Sequence, residues 1–209
     1  KKTILFGNGY LIDEKIPLSK NIWPVETINL IAVAQLASWH GYDRMIRALH
    51  QLAQLPNVGS FTFTIVGEGP ELANLKSLTT QLKLKNVYFV GKLSGVSLDR
   101  IFDGKHFGVS SLALYRKGMN MASDLKTREY LARGLRVIGA GVDPDFEDKS
   151  PYRMTVKNSD ELNSIVDLLQ NVRNTTYMSP LNVRNFAQNN LCMKSKMKFV
   201  LDRVIDANG

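Results

Sequence analysis

Between residues 28 and 156 the chain alternates short, uniformly apolar runs with longer segments whose apolar residues recur every three or four positions. INLIAVAQL (28–36), FTFTIVG (61–67), VYFVG (87–91), HFGVSSLAL (106–114), Leu135 to Ile138 and Tyr152 to Val156 have the character of strands. INLIAVAQL is too continuously apolar to show one face to water, so it belongs inside a sheet covered on both sides. The segments between have helical spacing. Met45, Ile46, Leu49, Leu52 and Ala53 recur within SWHGYDRMIRALHQLAQL (38–55), and Leu72, Leu75, Leu78 and Leu82 share a face from Glu71 to Leu82. A shorter helix is expected near Leu98 to Phe102. Another is expected from Asn158 to Asn171, where Asn158 three residues before Glu161 has a capping-box pattern. This alternation predicts an α/β fold, a parallel sheet with helices on both faces. Ligands of such sheets sit beyond the carboxyl ends of the strands. The loops Gln35–Gly41, Gly67–Pro70, Gly91–Gly95 and Tyr115–Ser123 are therefore predicted to converge on one site.

The flanks carry less pattern. TILF (3–6) reads as a short strand ending at the Gly7-Asn8-Gly9 turn, and residues 10 to 27, with Pro17 and Pro24, as an extended connection. Ser179-Pro180 starts a helix, and a last helix from Cys192 to Asp206 places Met193, Met197, Val200, Leu201 and Val204 on one stripe. The organisation expected is a connection over 1–27, a main domain over 28–177 and C-terminal helices over 178–209. The single cysteine, Cys192, excludes an internal disulfide and a cysteine-cluster metal site, and His40, His50 and His106 are too scattered to form one. No apolar run approaches the ~20 residues needed to span a bilayer. The leading Lys-Lys is followed by no small-residue cleavage site, so no signal peptide is read and a cytoplasmic location is expected. A net charge of +8 and a pI near 9.6 favour an anionic partner: a phosphorylated ligand, a nucleic acid or an anionic membrane surface.

The chemistry is expected within Ser110 to Ala140. An apolar segment gives way to a polar, glycine-containing loop, Tyr115 to Ala122. Ser123 is then placed to N-cap a helix with Asp124 in its first turn, running to about Arg133 and stopped by Gly134. The free N–H groups at such a helix end attract an anion. Six basic residues (Arg116, Lys117, Lys126, Arg128, Arg133, Arg136) face two acids (Asp124, Glu129) across this stretch. Leu125 and Glu129 share one helix face, about a turn inside the N-terminus. A carboxylate there suits the vicinal hydroxyls of a ribose, or simply pairs with Arg133 four residues on.

Taken in order, these loops resemble the C-terminal, nucleotide-binding half of a GT-B glycosyltransferase of the kind grouped as family 4. Asn8-Gly9 is similar to the turn that opens this half. AVAQLASWHGYDRMIRAL (32–49), FTIVGEGPELANLKSLTTQLKLKNVYFVGKL (63–93) and REYLARGLRVIGA (128–140) resemble its successive loops, the last holding the second glutamate of a Glu, seven residues, Glu motif. The resemblance implies a Rossmann-like sheet that binds a nucleotide diphosphate sugar without a metal or other cofactor. It implies that Glu129 binds ribose, that the backbone of Ser123, Asp124 and Leu125 faces diphosphate and sugar, and that Gly91, Lys92 and Leu93 contact the base. Gly67 would serve the tight turn as much as the ligand.

Three departures accompany it. The first motif glutamate falls on Met121, with Asn120 the nearby amide. The basic pair of the first loop falls on Gln35 and His40, so Arg44, one turn beyond, and Lys126 are expected to supply the positive charge. The acceptor-binding half is missing, so residues 1–27 read as a connection from an absent N-terminal domain. The function expected is the donor-binding domain of a retaining glycosyltransferase, hexosyltransferase-like, incomplete as an isolated fragment, with its catalytic residues unassigned. A non-catalytic nucleotide-binding module is the alternative. Nucleic acid is set aside, because no basic stripe interleaved with aromatics appears. Peripheral contact with the inner face of a membrane stays compatible with the charge.

Overall fold

The computed structural model describes residues 5–56 and 58–208. Its six strands are β1 (Thr27–Val33), β2 (Ser60–Val66), β3 (Val87–Gly91), β4 (Phe107–Val109), β5 (Arg136–Ala140) and β6 (Arg153–Val156). All pair in parallel in the order β3-β2-β1-β4-β5-β6. The seven α-helices among the described residues are α1 (Tyr42–Leu52), α2 (Leu72–Gln81), α3 (Gly95–Ile101), α4 (Leu125–Ala132), α5 (Asn163–Asn171), α6 (Pro180–Asn190) and α7 (Met193–Asn208). This is the doubly wound arrangement, and its strand order reverses between β1 and β4.

The apolar character of β1 is explained by its two covered faces. Ile28, Leu30 and Ala32 join one core cluster with Met45, Ile46 and Leu49 of α1, Leu75 and Leu78 of α2 and Ile165 and Leu169 of α5. Ile31, on the other face, joins Tyr130 and Leu131 of α4 and Val183 and Ala187 of α6. Each such side chain taken fully from water contributes about 1.5–3 kcal/mol before the entropy of ordering it is counted. Gly134 follows the last turn of α4 with φ +81°, the left-handed conformation expected of it, and a Cβ there would also strike Pro180.

Several local expectations are corrected. Thr3 and Ile4 lie outside the described residues, and Leu5 and Phe6 form no strand. The 38–55 segment opens with a 3₁₀ turn, Ser38–His40, before Gly41 and α1. β4 is only Phe107–Val109: Ser110 N–H and Ser111 O still meet Ile138 O and Ala140 N–H of β5, but Leu112 and Ala113, though buried, turn to the loop after β1, Leu112 N–H donating to His40 O and Ala113 N–H to Trp39 O. α5 starts at Asn163, not Asn158. The Asn158 side chain instead accepts from Tyr115 N–H at 3.1 Å and donates to Met119 O at 2.8 Å, which fixes the loop after β4.

α7 departs most from its pattern. Its exposed side carries Met193, Met197 and Leu201, while among its described side chains Lys196 is the buried one, reaching Asp145. Val204 lies outside the residues whose side chains are described. No helix among the described residues is long and apolar enough to cross a membrane.

Gly108 of β4 lies under Tyr130, and a Cβ built there would overlap the ring. Gly108→Ala is expected to destabilise the fold by about 1–3 kcal/mol, the usual scale of overpacking. A denaturant midpoint equal to that of the parent chain would show that the β4–α4 contact is loose.

Candidate functional site

The carboxyl ends of β1 and β4 diverge at the reversal of strand order, and two groups of residues meet the solvent there. The first is a cavity of about 720 Å³ lined by Val33–Gln35 after β1, Val66–Gly69 after β2, and Lys92 and Leu93 after β3. Backbone contacts shape it. Gly67 N–H donates to Gly91 O at 2.8 Å, and Leu36 N–H to Glu68 O at 2.7 Å. Gly67 has φ +128°, and a Cβ there would collide with Ala34 O, so both its conformation and the close approach demand glycine. The expected Gly67, Lys92 and Leu93 all line this cavity, with Gly91 at its edge. Gln35 and Glu68 line it as well. Glu68 carried no signal beyond its place between two turn glycines.

The second group surrounds the first turn of α4. Asp124 is its N-cap residue, one position later than expected, and its carboxylate does not cap the helix. It accepts from Ser110 Oγ at 2.9 Å and stands 3.9 Å from Lys126 Nζ. The carboxyl sits below its ordinary range: burial opposes the charge, but Lys126 and the Ser111 and Ser110 hydroxyls outweigh it. Ser123, expected as the cap, spends its hydroxyl accepting from Asn8 N–H at 2.6 Å, and its carbonyl accepts from Asn8 Nδ2 at 2.7 Å. The first N–H groups of α4 are therefore left without a side-chain partner.

Lys126 is pulled down to about 8 by burial, against the opposing pull of Asp124. His40 is pushed to about 3 by burial and by Lys126, so it is neutral at pH 7. Its Nδ1 accepts from Ala37 N–H at 3.1 Å, which leaves the proton on Nε2. Lys117, 5.3 Å from the Trp39 ring, adds to the positive field felt by His40 and Asp124. One cation, a neutral imidazole and uncapped amides thus gather at one helix end, an arrangement suited to a polyanion.

Arg44 is corrected out of this group. Its guanidinium is buried and donates to Leu112 O, to Glu161 O at 2.7 Å and to Lys157 O at 3.1 Å, fastening α1 to the chain around β6 and α5. Glu129 makes the simple helix pair: Oε1 accepts from Arg133 Nε at 3.1 Å, and Arg133 reaches Asp99 at 2.8 Å. Glu129 is not among the residues lining the cavity. Met121 is exposed, so it is no core residue, and it is bridged to Val142. Asn120 offers little in its place, because its Oδ1 accepts from Asn158 Nδ2 at 3.2 Å. No group of three or more His, Cys, Asp or Glu able to hold a metal occurs among the described residues.

A family model described as glycosyl transferases group 1 matches residues 15–113. Among solved structures, the apo lipopolysaccharide outer core galactosyltransferase WaaB superposes with a TM-score of 0.71 at 13% identity, over 96% of this chain and 54% of that one. The chain has the fold of the C-terminal half of a GT-B glycosyltransferase. Sucrose-phosphate synthase from Thermosynechococcus elongatus superposes with a TM-score of 0.65 at 16% identity, over 97% of this chain and 52% of that one. Anabaena HepE, solved in complex with UDP and glucose, gives 0.64 at 15% identity, over 87% and 49%. The chain spans about half the length of the solved structures it matches. No curated protein matches it.

An anion bound at α4 holds Lys126 protonated, so binding should take up a proton above pH 8 and weaken as pH rises through that value. Inorganic pyrophosphate is expected to bind this chain roughly tenfold more weakly at pH 9 than at pH 7, since a lysine of that pKa is mostly neutral at the higher pH. Calorimetry in buffers of different ionisation enthalpy measures both the affinity and the proton uptake. A flat pH profile would take Lys126 out of the site.

Proposed function

We propose that the chain is the donor-binding domain of a retaining, hexosyltransferase-like enzyme that moves a sugar from a nucleotide diphosphate sugar to an acceptor hydroxyl. The observation that carries this reading is the juxtaposition at the switch point of an open cavity of about 720 Å³ and the uncapped, lysine-bearing start of α4. A cavity of that size accommodates a nucleoside, and the helix end complements a diphosphate. The base would lie against Gly91, Lys92 and Leu93. The diphosphate would lie against the backbone of Ser123, Asp124 and Leu125, with Lys126 charged and His40 donating from Nε2. Glu129 would bind the ribose through Oε2, because Oε1 serves Arg133. The positive charge of Lys126 and the α4 amides would neutralise the diphosphate, so the reaction proposed needs no metal. HepE, whose structure holds UDP and glucose, supports a uridine nucleotide as the first ligand to test.

A domain beyond this chain would supply the acceptor site, and the location proposed is the cytoplasm. The alternative, a nucleotide-binding module without catalysis, is favoured by one observation, the exposed thioether of Met121 where a carboxylate would hold sugar hydroxyls.

Calorimetric titration with UDP, GDP, UDP-sugars and a DNA duplex separates the readings. A nucleoside diphosphate should bind, the duplex should not, and this chain alone should transfer no sugar. Glu129→Gln should weaken nucleotide binding by about 1–2 kcal/mol, the loss of a charge-assisted hydrogen bond. Unchanged binding would leave Glu129 as Arg133's partner only, and failure of both nucleotides to bind would sink the proposal.

A further inference from the structure

A separate cavity, of about 220 Å³, lies where the loop after β5 meets β6. Its wall includes Gly141 of that loop and Arg153 and Thr155 of β6. Arg153 is only 5% exposed. Its Nη2 donates to Ala140 O at 3.0 Å and to Gly141 O at 3.1 Å, and its Nη1 to Thr155 Oγ1 at 2.8 Å. Gly141 and Thr155 both line the cavity, so the fork of the guanidinium stands at its wall. Its acceptors are two carbonyls and a hydroxyl, none of them charged, and Nε has no acceptor at all. Burial lowers the proton affinity of Arg153, and Asp143 and Asp124 do not restore it. A buried guanidinium without a carboxylate is costly, and the group that relieves it best is a carboxylate.

The carboxylates nearby do not serve Arg153. Asp143 lines the cavity, but both of its oxygens accept from Arg128. Glu147 and Asp148 line it too, are exposed, and have no side-chain partner among the described residues. Lys149, next in the chain, is not part of the wall. The cavity thus has an uncompensated cation in its buried wall and two free carboxylates on its exposed side. A simple anion drawn to Arg153 would be repelled by Glu147 and Asp148, and a simple cation would leave Arg153 uncompensated. A molecule carrying both charges answers both. Val142, Phe146 and Val156 add apolar surface to the same wall. The volume falls below the ~300–1,000 Å³ of pockets for drug-sized ligands, so the occupant is small.

We infer that this cavity binds a small zwitterion, an α-amino acid with an uncharged side chain, its carboxylate on Arg153 and its ammonium on Glu147 or Asp148. Such a site stands whether or not the cavity after β1 and β2 takes a nucleotide.

The test removes one charge of the ligand at a time. L-Alanine is titrated by NMR against propionate, which lacks the ammonium, and ethylamine, which lacks the carboxylate. L-Leucine is titrated likewise against isocaproate and isoamylamine. At least one of the two amino acids is expected to shift the amide signals of Gly141, Val142 and Thr155, and to bind roughly tenfold tighter than either of its analogues, the scale of one charge-assisted hydrogen bond. Glu147→Gln combined with Asp148→Asn, both at exposed positions, is expected to abolish the preference over the acid without weakening the acid itself. Arg153→Gln is expected to abolish the preference over the amine. It also removes the bonds that hold the end of β5, so the exposed pair is the deciding variant. Failure of both amino acids to bind, or binding no tighter than the analogues, would overturn the inference. So would shifts confined to other parts of the chain, or a preference that the exposed pair does not move.

Discussion

The Tyr130 hydroxyl accepts a hydrogen bond from Val33 N–H at 2.8 Å, at the point where β1 stops pairing and its loop begins. Tyr130 is wholly buried, and burial pushes its hydroxyl well above the ordinary tyrosine range, so it remains a neutral donor and acceptor at any working pH. Its ring fills the space that Gly108 leaves on β4 and meets Phe102 at the end of α3. One side chain of α4 thereby holds the carboxyl ends of β1 and β4, whose divergence makes the site possible. A helix packed by apolar contacts alone could slide by a fraction of a turn at small cost, but a buried hydroxyl bound to a particular amide resists such sliding.

The charged groups of α4 divide in the same way. Arg128 is fully buried against Asp143 and Asp145, a pairing whose desolvation cost is large and whose geometric demands are correspondingly strict. Lys126, two residues earlier, has only a distant carboxylate and a depressed affinity for its proton. One cation is satisfied within the protein, and the other keeps only a carboxylate 3.9 Å away. Their sequence context, LKTR, does not separate them. What does is which residue the turn of the helix aims at the loop after β5.

This marks the boundary of what the sequence reveals. The sheet, its helices and its loop cluster follow from local regularities: the apolar run 28–33, interrupted only by Asn29, the helical spacing of Met45, Leu49 and Leu52, and Gly134 after α4. Gly67, Lys92, Leu93, His40 and Lys126 fall at the end of the sheet where that reading expects them. The failures are side chains whose local pattern has two solutions. Asn158 fits a capping box and Ser123 an N-cap, yet each finds a distant backbone partner instead, Asn158 around Met119 and Ser123 at Asn8. Arg44 resembles a ligand-binding cation until three carbonyls, one after β4 and two after β6, surround it. Lys196 interrupts the inward face of α7 because its acceptor, Asp145, lies in another loop. None of these partners is local, so no window on the sequence could have chosen between the two solutions.

Asp145 takes Gly7 N–H at 2.9 Å, Arg128 of α4 and Lys196 of α7 on a single carboxylate. Tyr10, three residues beyond Gly7, exchanges backbone hydrogen bonds with the residues that lead into α7. The opening segment and the final helix, although remote in sequence, are therefore neighbours knotted to the same oxygen pair. Peeling either one away strips a partner from a buried anion that the other must then help to satisfy. Local opening at one end thus raises the free energy of keeping the other in place, and the two behave as a single foldon whose fluctuations rise and fall together.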